Sequence, residues 1–199
     1  MKKITFTFLL VGSLFYMSSC NDQPKEEKAE TVDIAEDKND SILEAQNAAD
    51  GAKRDADFIV TAANTDLREI EAAKLAQKVA VSKDVKAFAQ HMIDDHTKSS
   101  TEIKALAGKM NIVVPDSLDG DDKSTVMGLK EKKGRDFEDA YMDMMVADHK
   151  KTLENFKDIS EDTKNTEVKA LADKMIPTLQ MHYDMASKTD SLLDAKVKK

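Results

Sequence analysis

Two stretches of this 199-residue sequence lie 83 positions apart and read almost alike. Val85-Lys86-Ala87-Phe88-Ala89, followed by Met92-Ile93, corresponds to Val168-Lys169-Ala170-Leu171-Ala172, followed by Met175-Ile176. In both copies the apolar residues recur every three or four positions, the spacing of one helix face. The same offset lays Phe58 on Tyr141, each at the opening of an earlier apolar face. A helical hairpin cannot bury such a face alone. Packed against its own copy it can, which makes a duplicated hairpin a four-helix bundle.

Periodicity places four main helices. The first starts near Asp55 with Phe58, Ala62, Glu69, Ala73, Ala76 and Ala80 on one face. The second runs from Lys83 to Met110, with Ser82 as its N-cap; its face includes Phe88, Met92, His96 and Ile103. The third covers Asp136 to Ile159, and Phe137, Tyr141, Met144, Met145, Asp148 and Phe156 define its face. The fourth runs from Glu167 to about Ala195 through Leu171, Met175, Leu179, His182 and Ala186, and Pro177 predicts a local kink in it. The loops inside each hairpin are short. Between the hairpins lies a long connection containing Pro115, Gly120 and a short helix over 124–132, long enough for a crossover.

Composition agrees. Six Gly and three Pro are far below the roughly 12% of average usage, too few for the turns of an all-β fold. The 38 acidic residues outnumber the 30 basic ones, which argues against a nucleic-acid partner. One Cys excludes an internal disulfide and a Cys-based metal site.

That Cys has another use. Lys2 and Lys3, an apolar run from Ile4 to Met17, and Ser18-Ser19-Cys20 form the three parts of an export signal too short to span a bilayer. Tyr16-Met17-Ser18-Ser19-Cys20 resembles a lipobox, in which Cys20 becomes the acylated N-terminus and lipid chains hold the protein to a membrane. Removal of 1–19 leaves 28 basic and 38 acidic residues, a net charge of −10. Residues 20–50 then read as the lipidated Cys and a flexible polar tether, and 51–195 as the bundle. The expected address is the cell envelope, at the outer membrane of a Gram-negative bacterium.

Each main helix carries one polar residue near the middle of its apolar face: Glu69, His96, Asp148 and His182. All four fall near mid-height of an antiparallel bundle, flanked by Asp66, Asp95 and His149, whereas His91 falls off the face and is expected in solvent. A buried carboxylate is unfavourable without a cation or good hydrogen bonds, so these residues should not be independent. Two readings follow. The set can bind one zinc, manganese or iron ion, or it can form a His–carboxylate network that only fixes helix register. Copper is a rival through Met92, Met145, Met181 and Met185, although Met at helical spacing also fills cores. Ile93 and Leu179 stand three residues before His96 and His182, so neither forms the Glu-x-x-His of dinuclear oxidases. No nucleophile motif or phosphate loop is present, and a non-catalytic role is expected, with a ferritin-like redox enzyme as the less favoured alternative.

Several motifs occur in order over about residues 55–190: Phe58 with Glu69-Ile70, Met92-Ile93-Asp94-Asp95-His96, Phe137 with Tyr141, Asp148-His149, and Pro177 with His182. Together they resemble the ferritin-like domain-of-unknown-function family of bacterial envelope proteins, commonly described as outer-membrane proteins. The resemblance implies an exported ferritin-like bundle. It aligns the family's paired Asp-His motifs with Asp95-His96 and Asp148-His149, and supplies no reaction.

Overall fold

The computed structural model describes residues 31–197 except 47, 50 and 119; the expected signal and Cys20 lie outside the described residues. The described chain is all-helical: α1 (Thr31–Ala45), α2 (Ala52–Val79), α3 (Lys83–Met110), α4 (Gly120–Lys130), α5 (Gly134–Asp162) and α6 (Thr166–Val197). Among the described residues, no helix is long and apolar enough to cross a membrane.

The four long helices form a bundle in which α2 packs on α3 and α5, and α6 on α3 and α5. Their directions follow from two apolar clusters at opposite ends. One gathers Ile59, Val60, Ile103, Leu106, Phe156 and Leu171. The other gathers Ala76, Phe88, Met92, Phe137, Tyr141 and Ala186. Helices α2 and α6 run from the first cluster to the second, and α3 and α5 run back. Every adjacent pair is therefore antiparallel. Because α3 and α5 are parallel, the 111–133 connection must travel the length of the bundle, about 40 Å for helices of this size. The long connection is thus a crossover, with α4 lying across α2 and α5 on the way.

Local chemistry sets the ends. Asn111 closes α3 in the left-handed region (φ 58°), where its short polar side chain is tolerated. Asn165 starts α6, its Oδ1 accepting the backbone N–H groups of Glu167 (2.9 Å) and Val168 (3.2 Å). Ser82 occupies the N-cap position of α3 but makes no capping side-chain bond. Buried Glu138 of α5 holds that turn instead, accepting the N–H groups of Val81 (2.6 Å) and Ser82 (2.5 Å). Helix α6 continues through Pro177, which has no N–H to offer the Asp173 carbonyl.

Helix α1 departs from the expected tether, of which it occupies residues 31–45. Its sequence is polar, but Ala35 and Asn39 are buried and Val32 and Leu43 pack on the first cluster. The Asn39 side chain donates to the Val113 carbonyl (2.9 Å) and accepts the Val113 N–H (2.7 Å). That pairing satisfies an irregular backbone segment, so a weakly apolar helix is held by its neighbour rather than by its own periodicity.

Candidate metal centre

Between the two apolar clusters lies one polar layer, contributed by all four long helices. Its inward residues are Asp66 and Glu69 from α2, His96 from α3, His149 from α5 and His182 from α6. Glu69 and His149 are 0% exposed, His182 1% and His96 3%.

Each histidine has one nitrogen fixed by an acceptor. His96 Nδ1 faces Asp66 Oδ1 at 2.8 Å, His149 Nδ1 the Met145 carbonyl at 2.9 Å, and His182 Nε2 Asp95 Oδ2 at 3.1 Å. A carbonyl or an ionised carboxylate can only accept, so these three outer nitrogens carry the protons. The inner nitrogens are His96 Nε2, His149 Nε2 and His182 Nδ1. None has a hydrogen-bond partner of good geometry, although all are buried. One ligand atom from each of the three histidines falls within 4.8 Å of the others, a grouping that could hold a metal ion. Glu69 Oε2 joins them, 2.8 Å from His96 Nε2 and 3.5 Å from His149 Nε2. The His96 contact is close enough for charge pairing but is not an aligned hydrogen bond, since both atoms remain unsatisfied by direction.

Residues 41–189 match the family described as Domain of unknown function (DUF4142). The chain belongs to that family. No curated protein and no solved structure gives a significant match. The match runs from the latter part of α1 to residue 189 in α6, and the description assigns no chemistry, which therefore has to be read from this family member's own side chains.

Placement of the sequence-selected residues differs on α5. Glu69, His96 and His182 lie in the polar layer, and so does His149, which the sequence puts off the centre of its face. Asp148 lies on the flank, with a side chain 21% exposed and 3.0 Å from Arg68. The reason is rotational. The buried line of α5 runs through Met145, His149, Leu153 and Phe156, not through Met144, Asp148 and Thr152. Arg68 also binds Asp122 of α4 at 2.8 Å, and Asn64 donates to the same carboxylate. This charged cluster ties α4 and α5 to α2 one residue from Glu69. Asp66 and Asp95 are the carboxylates that orient His96 and His182, and His91 is exposed. Met92 and Met145 lie in the second apolar cluster, and Met181 is 44% exposed.

The electrostatics are coupled. Burial pushes the Glu69 carboxyl up, but His149, His96 and Arg68 outweigh it and hold Glu69 at about 2. Burial disfavours a charged His96, yet Glu69 and Asp66 raise it to about 10. Burial, then the charge of His96, lowers His182 to about 4, against the Asp95 hydrogen bond. Burial raises Asp66, opposed by His96. Without a metal, His96 is therefore an imidazolium between two carboxyl groups, next to a neutral His182. A divalent cation can replace that charge, with release of a proton from His96 Nε2.

Proposed function

We propose that this protein is a ferritin-like envelope lipoprotein that binds one divalent transition-metal ion through His96, His149, His182 and Glu69. The observation that carries the reading is the division of labour on the imidazoles. Three outer nitrogens are fixed by Asp66, the Met145 carbonyl and Asp95, while the three inner nitrogens lack an aligned hydrogen bond and two of them lie within 3.5 Å of the buried Glu69 carboxylate. Histidine ligands of metals use their second nitrogen in this way, which sets the tautomer and the ring orientation.

A donor set of three imidazoles and one carboxylate suits zinc, iron or manganese. It supports one ion, because a two-metal centre needs more carboxylates than Glu69 alone. Thioether ligation of copper is disfavoured by the placement of Met92 and Met145 among aromatic and aliphatic neighbours. The paired hairpins and single long crossover support the ferritin-like reading of the bundle. The signal-like segment ending at Cys20 supports the lipid anchor.

The register-network reading has one observation in its favour: His96 lies 2.8 Å from both Asp66 and Glu69. It accounts for His96 but leaves His149 Nε2, His182 Nδ1 and Glu69 Oε1 unsatisfied in the core. A metal accounts for the whole group.

Metal analysis of protein purified without tags or chelators tests the site. About one equivalent of zinc, iron or manganese is expected, lost in His149→Ala and Glu69→Ala. No binding of zinc, manganese, iron or copper at micromolar concentration would sink the proposal. For the anchor, Cys20→Ser should release the protein from the membrane fraction; unchanged membrane association would refute acylation there.

A further inference from the structure

The two ends of the bundle differ in a way that core packing does not require. At the end built on the second cluster, the α2–α3 turn exposes Val79 and Val81, the latter 76% exposed. Met127, near the end of α4, is 62% exposed, and Leu192 near the end of α6 is exposed as well. Hydrogen bonds gather these segments into one face. Glu138 accepts the N–H groups of Val81 and Ser82, and Arg135 binds the Leu193 carbonyl and Asp194. Among the described residues, the other exposed large apolar side chains, Ile34 and Met181, lie on the sides of the bundle, in α1 and beside His182.

Charge is divided in the same way. Residues 78–84 and 130–136 close the second-cluster end and hold six basic residues against three acidic ones. Five of the six are exposed lysines: Lys78, Lys83, Lys130, Lys132 and Lys133. The α5–α6 turn at the opposite end, 161–167, holds Glu161, Asp162 and Glu167 against Lys164 alone. In a chain of net charge −8, a basic end tipped with apolar side chains is the exception. Apolar side chains beside lysines fit an interface with anionic lipid, the former entering the headgroup boundary and the latter meeting its charge.

The start of α1 limits how far such a surface can be. Val32 lies against Arg68 and Asp148, at the level of the polar layer. From Arg68 to Val79 is eleven residues of α2, about 17 Å. The eleven steps from Cys20 to Thr31 span at most about 40 Å. A bilayer holding Cys20 is therefore within reach of the bundle's ends, and the composition of each end decides which one turns towards it.

We propose that the 79–83 and 130–133 turns form a membrane-contact face, seated on the anionic surface of the bilayer that holds Cys20. Val79, Val81 and Met127 enter the headgroup region, and the five lysines face lipid phosphates. The inference rests on the lipid-anchor reading and is independent of the metal.

The acylated full chain in vesicles of phosphatidylethanolamine and phosphatidylglycerol provides the test. Acylated Cys20 has no free thiol, so Val81→Cys or Lys164→Cys supplies a single labelling position, each at an exposed residue. A fluorophore at 81 should be quenched by nitroxide-bearing lipid severalfold more than one at 164, which lies about 40 Å further from the lipid. Lys132→Glu combined with Lys133→Glu should bring quenching at 81 down towards that at 164, as should vesicles of phosphatidylcholine alone. Equal quenching at the two positions, or more at 164, would overturn the orientation. Quenching at 81 that ignores both charge reversal and lipid charge would overturn the role of the lysines. A label at 81 shielded from water yet untouched by lipid nitroxides would assign the patch to a protein partner and overturn the lipid contact. Failure of the anchor itself is read separately, by sedimentation of unlabelled wild type with the vesicles: protein left in the supernatant would refute acylation and the orientation together, whereas sedimenting protein with position 81 unquenched would overturn the orientation alone.

Discussion

Replacing Glu69 by Gln in the metal-free protein should destabilise it by about 3 kcal/mol near neutral pH. Gln has nearly the same shape, so the packing of the fully buried side chain is preserved and the change is one of charge. The carboxyl is held at about 2 against an ordinary 4.5, and about 1.4 kcal/mol per pKa unit converts that shift to roughly 3 kcal/mol. Breaking a buried ion pair by removing one partner gives the same range, roughly 3–5 kcal/mol. The sign with pH follows from a depressed folded-state pKa. The contribution is fully present above 4.5 and is lost as pH falls towards about 2. His96 acts in the opposite sense. Its pKa is raised to about 10, so its contribution is full below 6.5 and disappears as pH rises through about 10. The two groups share one contact, and their shifts do not add. Urea unfolding of wild type and Glu69→Gln in chelator, followed by circular dichroism from neutral pH down to about pH 3, measures the difference. The gap should be widest near neutrality and narrow on acidification. A variant as stable as wild type near neutrality would refute the charge argument. A deficit that stays constant with pH would assign the loss to packing instead.

Three further outcomes follow from particular contacts. At a thousandfold excess of metal over Kd, linkage stabilises by about 4 kcal/mol, or roughly 8–16 °C in Tm for a domain of this size. His149→Gln should lose that increment and Asp148→Asn should keep it, as differential scanning fluorimetry with and without zinc would show; the reverse pattern would return Asp148 to the ligand set. Glu138→Ala leaves the Val81 and Ser82 N–H groups without their acceptor and should cost about 2–4 kcal/mol in urea unfolding, with faster amide exchange at both residues. Asn39→Ala removes both bonds to Val113 and should cost about 1–3 kcal/mol. Exchange protection should then fall in α1 while α2 and α5 keep theirs; equal losses everywhere would show that α1 is not a separable unit.

Much of the bundle is legible from periodicity because the buried faces are long and repetitive. The Lys83–Met110 helix coincides with its sequence boundaries, and the hairpin loops are as short as the repeat implies. Helix α1 was not legible, since four polar-separated contacts, Val32, Ala35, Asn39 and Leu43, hold it down and one of these is an amide. For the site, single-helix geometry finds Glu69, His96 and His182 because each lies on the central line of an apolar face. It centres the α5 face on Asp148 and puts its neighbour His149 off the centre, whereas the rotation of the whole helix against its neighbours turns His149 inward. A signal was nevertheless present. At the offset of 83, His149 corresponds to the polar-layer residue Asp66 and Asp148 to Thr65, so the repeat marks His149 as the inward position.

The sequence by itself determined an all-helical chain built on a duplicated hairpin and the depth at which polar residues interrupt its core. Those properties depend on spacing along one helix, which is local. Only the tertiary structure decided that α3 and α5 run parallel, that His149 and not Asp148 turns inward, and that three imidazoles each have one nitrogen held by an acceptor and one without an aligned hydrogen bond. These depend on how four helices rotate against one another to bury their largest apolar side chains, and no single helix contains that information.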